Sequence, residues 1–430
     1  MTMLTVTGTY ERLRSLLANS NFDFHDKRSS QASHRLHAFA AKFPPQLPAL
    51  FIQELSRPGD LVLDPMVGSG TTLVEAYRLS RNAVGLDIDP LAVMICEVKT
   101  TGIDPELVTS AGRDVLERAS AYLSKKLPVT VFLDQYPEES RRFIDYWFAH
   151  KTQMELGAIL IAVDDEPDAS LRALLKLVLS SIIITKSGGV SLARDLAHSR
   201  PHKDPTKRPR DALEQFELRL DKFHRGLGEL RDADSNSVVR VEIGDCRLRI
   251  PLDDGSVDLI VTSPPYANAI DYMRAHKFAL VWFKRSLADL TRLRSEYIGA
   301  EKVGAFFHSA LPGKVERVIR RVGSKDTRKA AVLRKYFVDM ASSMGEMYRV
   351  LRSGHAAVLV VGPSTIRGLR VDTPGCLSEI ANGLGYELAG IKRRKLDRNR
   401  RMMPARFRGN GQSLIEQRMH EEYVVGLIKP

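Results

Sequence analysis

The chain has 430 residues, 43% of them hydrophobic, and a formal net charge of +12. That is enough for one large domain with an insertion or for two domains, and the basic balance suits a polyanionic partner whose phosphates shed counterions when Lys and Arg bind. Composition excludes three classes. No apolar run approaches the roughly 20 residues that cross a bilayer, no basic-then-apolar leader is present, and Cys96, Cys246 and Cys376 form no Cys-x-x-Cys pair for zinc or for a disulfide framework; a cytoplasmic location without a metal is expected.

In chain order, the first thirty-odd residues read as polar and irregular. A short helix follows Pro48 and carries Leu50, Phe51, Ile52 and Leu55. Leu61-Val62-Leu63-Asp64 reads as a buried strand ending in an acid, Gly68-Ser69-Gly70 as a turn, and Thr71 to Leu79 as a helix. Ala83 to Asp87 is a second strand, again ending in an acid, so the unit is β-turn-α-β with parallel strands and a right-handed crossover. From about Asp104 to Leu230 the pattern is mostly helical, as in Leu171–Ser181 and Ala212–Leu230. A basic loop at Ser199–Arg210, with three prolines, interrupts it. Strands resume at Val238–Ile243, Val257–Val261, Ala356–Val361 and Tyr423–Ile428, and Met273 to Lys335 between the middle two is helical and basic. The expected architecture is an α/β sheet in pieces with two mainly helical excursions.

Two constellations carry chemistry. In Asp64-Pro65-Met66-Val67-Gly68-Ser69-Gly70-Thr71-Thr72 the glycines permit a tight turn and the helix after them offers free N–H groups. No Lys follows Gly70, as a phosphate-binding loop requires, and Leu73 stands where the dinucleotide fingerprint has its third glycine. An acid four residues before the glycine pair fits a cationic, phosphate-free ligand, and Asp87 sits where a carboxylate meets ribose hydroxyls. A ligand-free glycine turn is the bland alternative.

The second constellation is Asp258-Leu259-Ile260-Val261-Thr262-Ser263-Pro264-Pro265-Tyr266. Two prolines after a buried strand fix the backbone and remove two donors, which leaves carbonyls free to accept. Ser263 adds an acceptor and Tyr266 a flat face for a base, although a rigid loop with a packing tyrosine has the same composition.

These residues resemble the amino-group (N4-cytosine/N6-adenine) DNA methyltransferase family with its class I S-adenosylmethionine-dependent fold. Asp64 to Thr72 looks like its cofactor motif and Ser263-Pro264-Pro265-Tyr266 like its catalytic tetrapeptide. His37 to Pro45 is similar to the segment that closes over the methionine end of the cofactor, with Ala40 where relatives often have Pro, and Met66 replaces a frequent Phe. The resemblance implies a Rossmann-like α/β sheet, mostly parallel with an antiparallel C-terminal strand (Glu421 to Val425 looking like that closing strand) and a large mainly helical insertion. It implies cofactor contacts from Lys42, Phe43, Asp64, Pro65, Gly68, Gly70, Thr71, Asp87, Ile88, Asp245 and Cys246, with Asp245 at the adenine ring. It divides the chain into a cofactor-binding half at 1–100, a helical insertion at 101–235 that is a candidate DNA-recognition region, and a catalytic half at 236–430 with a basic excursion at about 273–335.

The resemblance further implies S-adenosylmethionine as cofactor, double-stranded DNA as partner, and a cognate restriction endonuclease where the enzyme belongs to a restriction-modification pair. In the family, Ser at the first tetrapeptide position goes mostly with N4 of cytosine and Asp or Asn with N6 of adenine, so Ser263 points to cytosine, with adenine as the alternative. None of the cysteines follows a proline, which disfavours the covalent C5 chemistry. Of three basic clusters, His198–Arg210, Lys314–Lys335 and Lys392–Arg408, the third is favoured for DNA, with Arg393, Arg394, Lys395, Arg398, Arg400 and Arg401. Solvated faces are the bland reading of such runs. Tyr136, Tyr146 and Trp147 read as core, and His34 with His37 is rejected as a metal pair because no third ligand is near in sequence. Readings from other classes are an RNA methyltransferase and a catalytically inactive DNA-binding regulator.

Overall fold

The computed structural model describes residues 6–25, 32–185, 188–196, 201–231, 237–267, 270–301, 310–396 and 420–430. In chain order its strands are β1 (Leu61–Asp64), β2 (Asn82–Asp87), β3 (Ala193–Arg194), β4 (His202–Lys203), β5 (Val239–Ile243) and β6 (Val257–Thr262). After them come β7 (Leu351–Val361), β8 (Ser364–Ile366), β9 (Leu369–Val371), β10 (Glu387–Lys395) and β11 (Glu421–Ile428). Seven join one sheet in the order β10-β11-β7-β6-β1-β2-β5, while β3/β4 and β8/β9 are separate hairpins. Neighbours within the sheet run parallel except at β11, which is antiparallel to both β7 and β10. The fold is α/β, a Rossmann-like, mostly parallel sheet with an antiparallel C-terminal strand and large helical insertions.

The central strands read as continuous apolar runs because both faces are covered. Val62, Leu259, Val261, Val358 and Val360 point to one face, where they meet Leu13, Leu17, Phe51, Ile52 and Leu55 of the helices Val6–Asn19 and Gln46–Leu55. Leu63, Ile260, Ala357, Leu359 and Val361 point to the other, against the helices Gly313–Gly323, Thr327–Val350 and Thr373–Gly383. The alternation is the strand period of two, seen from both sides of one sheet.

The insertion from Pro105 to Arg231 is built largely of helices whose starts are written in the sequence: Asp104 and Asp168 cap the helices Pro105–Lys125 and Ala169–Ile183 by accepting from backbone N–H groups. The helices Met273–Leu280 and Leu287–Glu296 of the second excursion pack into the same apolar core, and Tyr136 Oη donates to the Trp282 carbonyl at 2.7 Å. The helices Gly313–Gly323 and Thr327–Val350 pack on the sheet instead. Of the aromatics assigned to this core, Tyr136 is buried but Tyr146 is 52% exposed, with the Lys203 ammonium 4.0 Å above its ring. That is a correction, since Tyr146 lies on the outward face of its helix. Among the described residues no helix is long and apolar enough to cross a membrane.

Two further elements differ from the sequence reading. The opening segment contains the helix Val6–Asn19, which spans the sheet face at β7, β10 and β11 with few apolar positions of its own. The basic run from Lys392 begins inside β10, an edge strand. Charged side chains on an edge deter pairing with another chain, and they conceal a strand from a reading that looks for apolar alternation. Because Leu13 is fully buried against β11, Leu13→Ala is expected to lower unfolding free energy by about 2–5 kcal/mol in a denaturant titration. An unchanged midpoint would mean that this helix is not part of the core.

Candidate active site

The order of the sheet reverses at β1, with β2 and β5 on one side and β6 and β7 on the other. Loops leaving the carboxyl ends of strands diverge at such a point and open a crevice. Here the loops after β1, β2, β5 and β6 contribute Pro65 to Ser69, Asp87 to Asp89, Gly244 to Arg247 and Ser263 to Tyr266 to one cleft. Phe39 and Ala41 to Phe43 line it from a preceding segment, and Ile270, Tyr272 and Glu296 to Ile298 from the second excursion.

Most of the expected cofactor and catalytic residues therefore meet in one place: Lys42, Phe43, Pro65, Gly68, Thr71, Asp87, Ile88, Asp245, Cys246, Ser263, Pro264, Pro265 and Tyr266 all line the cleft. Asp64 and Gly70 stand behind the wall. Asp64 is 1% exposed and its Oδ1 accepts from Thr262 Oγ1 at 2.7 Å, tying the ends of β1 and β6 together. Burial raises its carboxyl to about 6. Gly70, at φ +78°, begins the helix Thr71–Arg78 where an added Cβ would lie 2.6 Å from Cys96 Sγ.

Asp87 holds the turn in place. Its Oδ2 accepts from Gly68 N at 2.8 Å and its Oδ1 from Asp89 N at 2.9 Å, which leaves further lone pairs facing the cleft. Burial, reinforced by Asp89, lifts its carboxyl to about 7. Asp245 is gripped by Arg247, whose Nε and Nη2 donate at 2.8 and 2.6 Å. Burial opposes its ionisation, but the Arg247 fork prevails and holds it below the ordinary carboxylate range. Acids at Asp87, Asp89, Asp245 and Glu296 beside apolar walls suit hydroxyls, amines and cations, and they repel a polyphosphate.

Where the Ser-Pro-Pro-Tyr loop forms the wall, Ser263 Oγ donates to the Val360 carbonyl at 3.1 Å, so the hydroxyl faces anything in the cleft as an acceptor. Tyr266 Oη donates to Glu422 Oε1 at 2.6 Å. The thiol of Cys246, although on the cleft wall, is pushed up by burial to about 12 and is no nucleophile at neutral pH.

Several residues were invisible to sequence reasoning. Lys99, fully buried, donates from Nζ to the Ser69 carbonyl at 2.7 Å and braces the glycine turn from beneath. His276 Nδ1 lies 2.5 Å from Asp89 Oδ2, and Tyr272 stacks on Phe39 at 5.0 Å between centroids, so the second excursion forms part of the cleft. His34 and His37 go to different partners, Glu75 Oε1 at 2.7 Å and Ser180 Oγ at 2.9 Å.

The basic candidates fare unevenly. Arg394 is 1% exposed, with its guanidinium committed to Glu422 and to the Phe22 carbonyl, and is withdrawn as a DNA contact. The alternation of β10 turns it inward. Arg393 and Lys395 point outward, and Arg398, Arg400 and Arg401 lie outside the described residues. On the helix Gly313–Gly323, Arg317, Arg320 and Arg321 are exposed while Val315, Ile319 and Val322 are buried.

Gly70→Ala is expected to lower stability by about 1–3 kcal/mol from overpacking and the left-handed backbone combined. Adding Cys96→Ala should restore only the steric part, and full recovery in a thermal melt would show that backbone conformation contributes nothing.

The chain is similar to several known proteins. A family model described as DNA methylase matches residues 10–97. Type II methyltransferase M.MvaI of Kocuria varians is 23% identical over 84% of this chain and 84% of its own, and M.BsoBI of Geobacillus stearothermophilus is 21% identical over 92% and 86%. A solved geranyl diphosphate methyltransferase with bound S-adenosylmethionine aligns over 90% of this chain and 86% of that one at 8% identity and a TM-score of 0.34, too loose to carry an argument. The glycine turn, the Ser-Pro-Pro-Tyr loop and the long alignments agree, and together they support an amino-group DNA methyltransferase family for the chain.

Proposed function

We propose that the chain transfers a methyl group from S-adenosylmethionine to N4 of cytosine in double-stranded DNA, with the target base flipped out of the helix. The observation that carries the reading is the Ser263 hydroxyl, whose proton is given to Val360 so that its lone pairs face the cleft. The cofactor supplies an electrophilic methyl on a sulfonium. Asp87 would receive the ribose hydroxyls, Asp245 the adenine edge, and Lys42 and Phe43 the methionine end.

An exocyclic amine is a poor nucleophile because its lone pair is delocalised into the ring. Ser263 Oγ and the Pro264 carbonyl accept from the NH2, favour a pyramidal nitrogen and aim its pair at the methyl group. Tyr266 stacks on the base, whose extraction costs about a few kcal/mol. Positioning and fixed dipoles supply the acceleration without a covalent step, consistent with three buried cysteines. The DNA backbone runs over outward basic residues, Arg393 and Lys395 among them, and the enzyme works in the cytoplasm, with a cognate endonuclease where it serves restriction-modification. N6 of adenine is the alternative target, since the same acceptors suit either amine.

Nucleosides from the DNA of a non-methylating host expressing the chain are expected to contain N4-methylcytosine by mass spectrometry, and Ser263→Ala should abolish it. N6-methyladenine in its place would overturn the choice of base, and neither product from a cofactor-binding protein would overturn DNA as substrate.

Cofactor binding should also titrate. Asp87, held near 7 in the free protein, must lose its proton to accept from the ribose. Affinity for S-adenosylhomocysteine is therefore expected to rise about tenfold between pH 6 and pH 8 in calorimetry and to level off above. Asp87→Asn should bind more weakly with a flatter profile, and a flat profile in the wild type would remove Asp87 from the ribose contact.

A further inference from the structure

Behind the catalytic loop runs a chain of polar contacts that the proposed reaction does not use directly. Tyr266 Oη donates to one oxygen of Glu422 at 2.6 Å. The other oxygen of Glu422 receives Arg394 Nε at 2.9 Å and Nη2 at 2.7 Å. Arg394 Nη1 donates onward to the Phe22 carbonyl at 3.1 Å. Tyr266, Glu422 and Arg394 are 8%, 7% and 1% exposed, so the chain is shielded from water throughout.

Topology explains how it forms. Because β11 runs antiparallel to its neighbours, its first residues lie at the carboxyl end of β7, beside the loop that follows β6. Glu422 is second in that strand, and Arg394 is its direct partner across the β10/β11 pair. A buried ion pair is weak support for stability, because desolvation offsets much of the attraction. A role in fixing one geometry accounts better for its position. The phenol is anchored at the para position, so the anchor fixes the direction of the ring's long axis and keeps the ring from tilting.

We propose that Glu422, held by Arg394, is a positioning residue that fixes the Tyr266 ring and so orients the base stacked on it, an assignment that rests on the base-flipping reading above. Glu422 touches no reacting atom. It acts through the phenolic hydroxyl, and a ring released from it tilts the amine away from Ser263.

The test is a double-mutant cycle on the full chain. The measured reaction is transfer of tritiated methyl from S-adenosylmethionine to unmethylated genomic DNA of a non-methylating host, with kcat and KM for the cofactor followed separately. Tyr266→Phe keeps the flat face and removes the hydroxyl. Glu422→Leu, which removes the acceptor, is expected to lower kcat by about 10- to 100-fold, the usual loss from misplacing a reacting group by an ångström, with the cofactor KM unchanged. Tyr266→Phe should lower it similarly, and the double variant should be no slower than either single one. If Glu422→Leu does not fold, Glu422→Leu with Arg394→Met, which removes both buried charges together, takes its place in the cycle. Effects that multiply, or a folded Glu422 variant with wild-type kcat, would overturn the assignment while leaving the function intact. A wild-type chain that binds the cofactor but transfers nothing to DNA would overturn the proposed function and this inference together.

Discussion

The Thr262 hydroxyl donates to Asp64 across the parallel β1/β6 junction, joining residues 198 positions apart in the chain. The rest of the site depends on that junction. It sets the end of the strand that leads into the glycine turn beside the end of the strand that leads into Ser-Pro-Pro-Tyr. Two loops that shape one cleft can cooperate only if their separation is fixed to a fraction of an ångström. Two adjacent strands in one hydrogen-bonded register provide that rigidity where a pair of docked loops would not. The cost is a buried carboxyl, tolerated because Thr262 and the Met66 N–H both donate to it.

The same economy recurs around the cleft. Asp87 keeps the Gly68 turn against β2 while its remaining lone pairs face the ligand space. Lys99 holds the other side of the turn through a carbonyl. Ser263 is oriented by a carbonyl on β7, and Tyr266 by a carboxylate on β11. In each case a group that presents itself to the cleft is secured from behind by a neighbouring strand or helix. The sheet therefore serves as a template for polar groups and not only as an apolar core.

What the sequence revealed follows from this division. β1, the glycine turn, β2 and the Ser-Pro-Pro-Tyr loop are encoded by contiguous residues whose types carry their own conformational reasons, and they were legible. Residues whose partners are distant were not. Arg394 looks like its neighbours Arg393 and Lys395 in a basic run, and only the pleat of β10 against β11 turns it inward to Glu422. Tyr272 and Tyr297 reach the cleft because the second excursion docks on it, a contact that no local spacing records. The helix Val6–Asn19 was missed because its apolar face is narrow, and Leu13 and Leu17 are understood only once the sheet beneath them is known.

That helix also bears on how the molecule is assembled. Leu13 and Leu17 pack against Gly426, so an early segment of the chain is seated in part on a strand more than four hundred residues further along, beside β7 and β10. Contacts of such sequence separation close slowly, because the loop entropy precedes the reward. Until β11 pairs with β7 the sheet has an unpaired edge there, and the part of the helix's seat that β11 supplies is missing. The antiparallel strand that brings Glu422 to the Ser-Pro-Pro-Tyr loop thus closes the sheet as well, and the loop draws its backing from a residue 156 positions further along the chain.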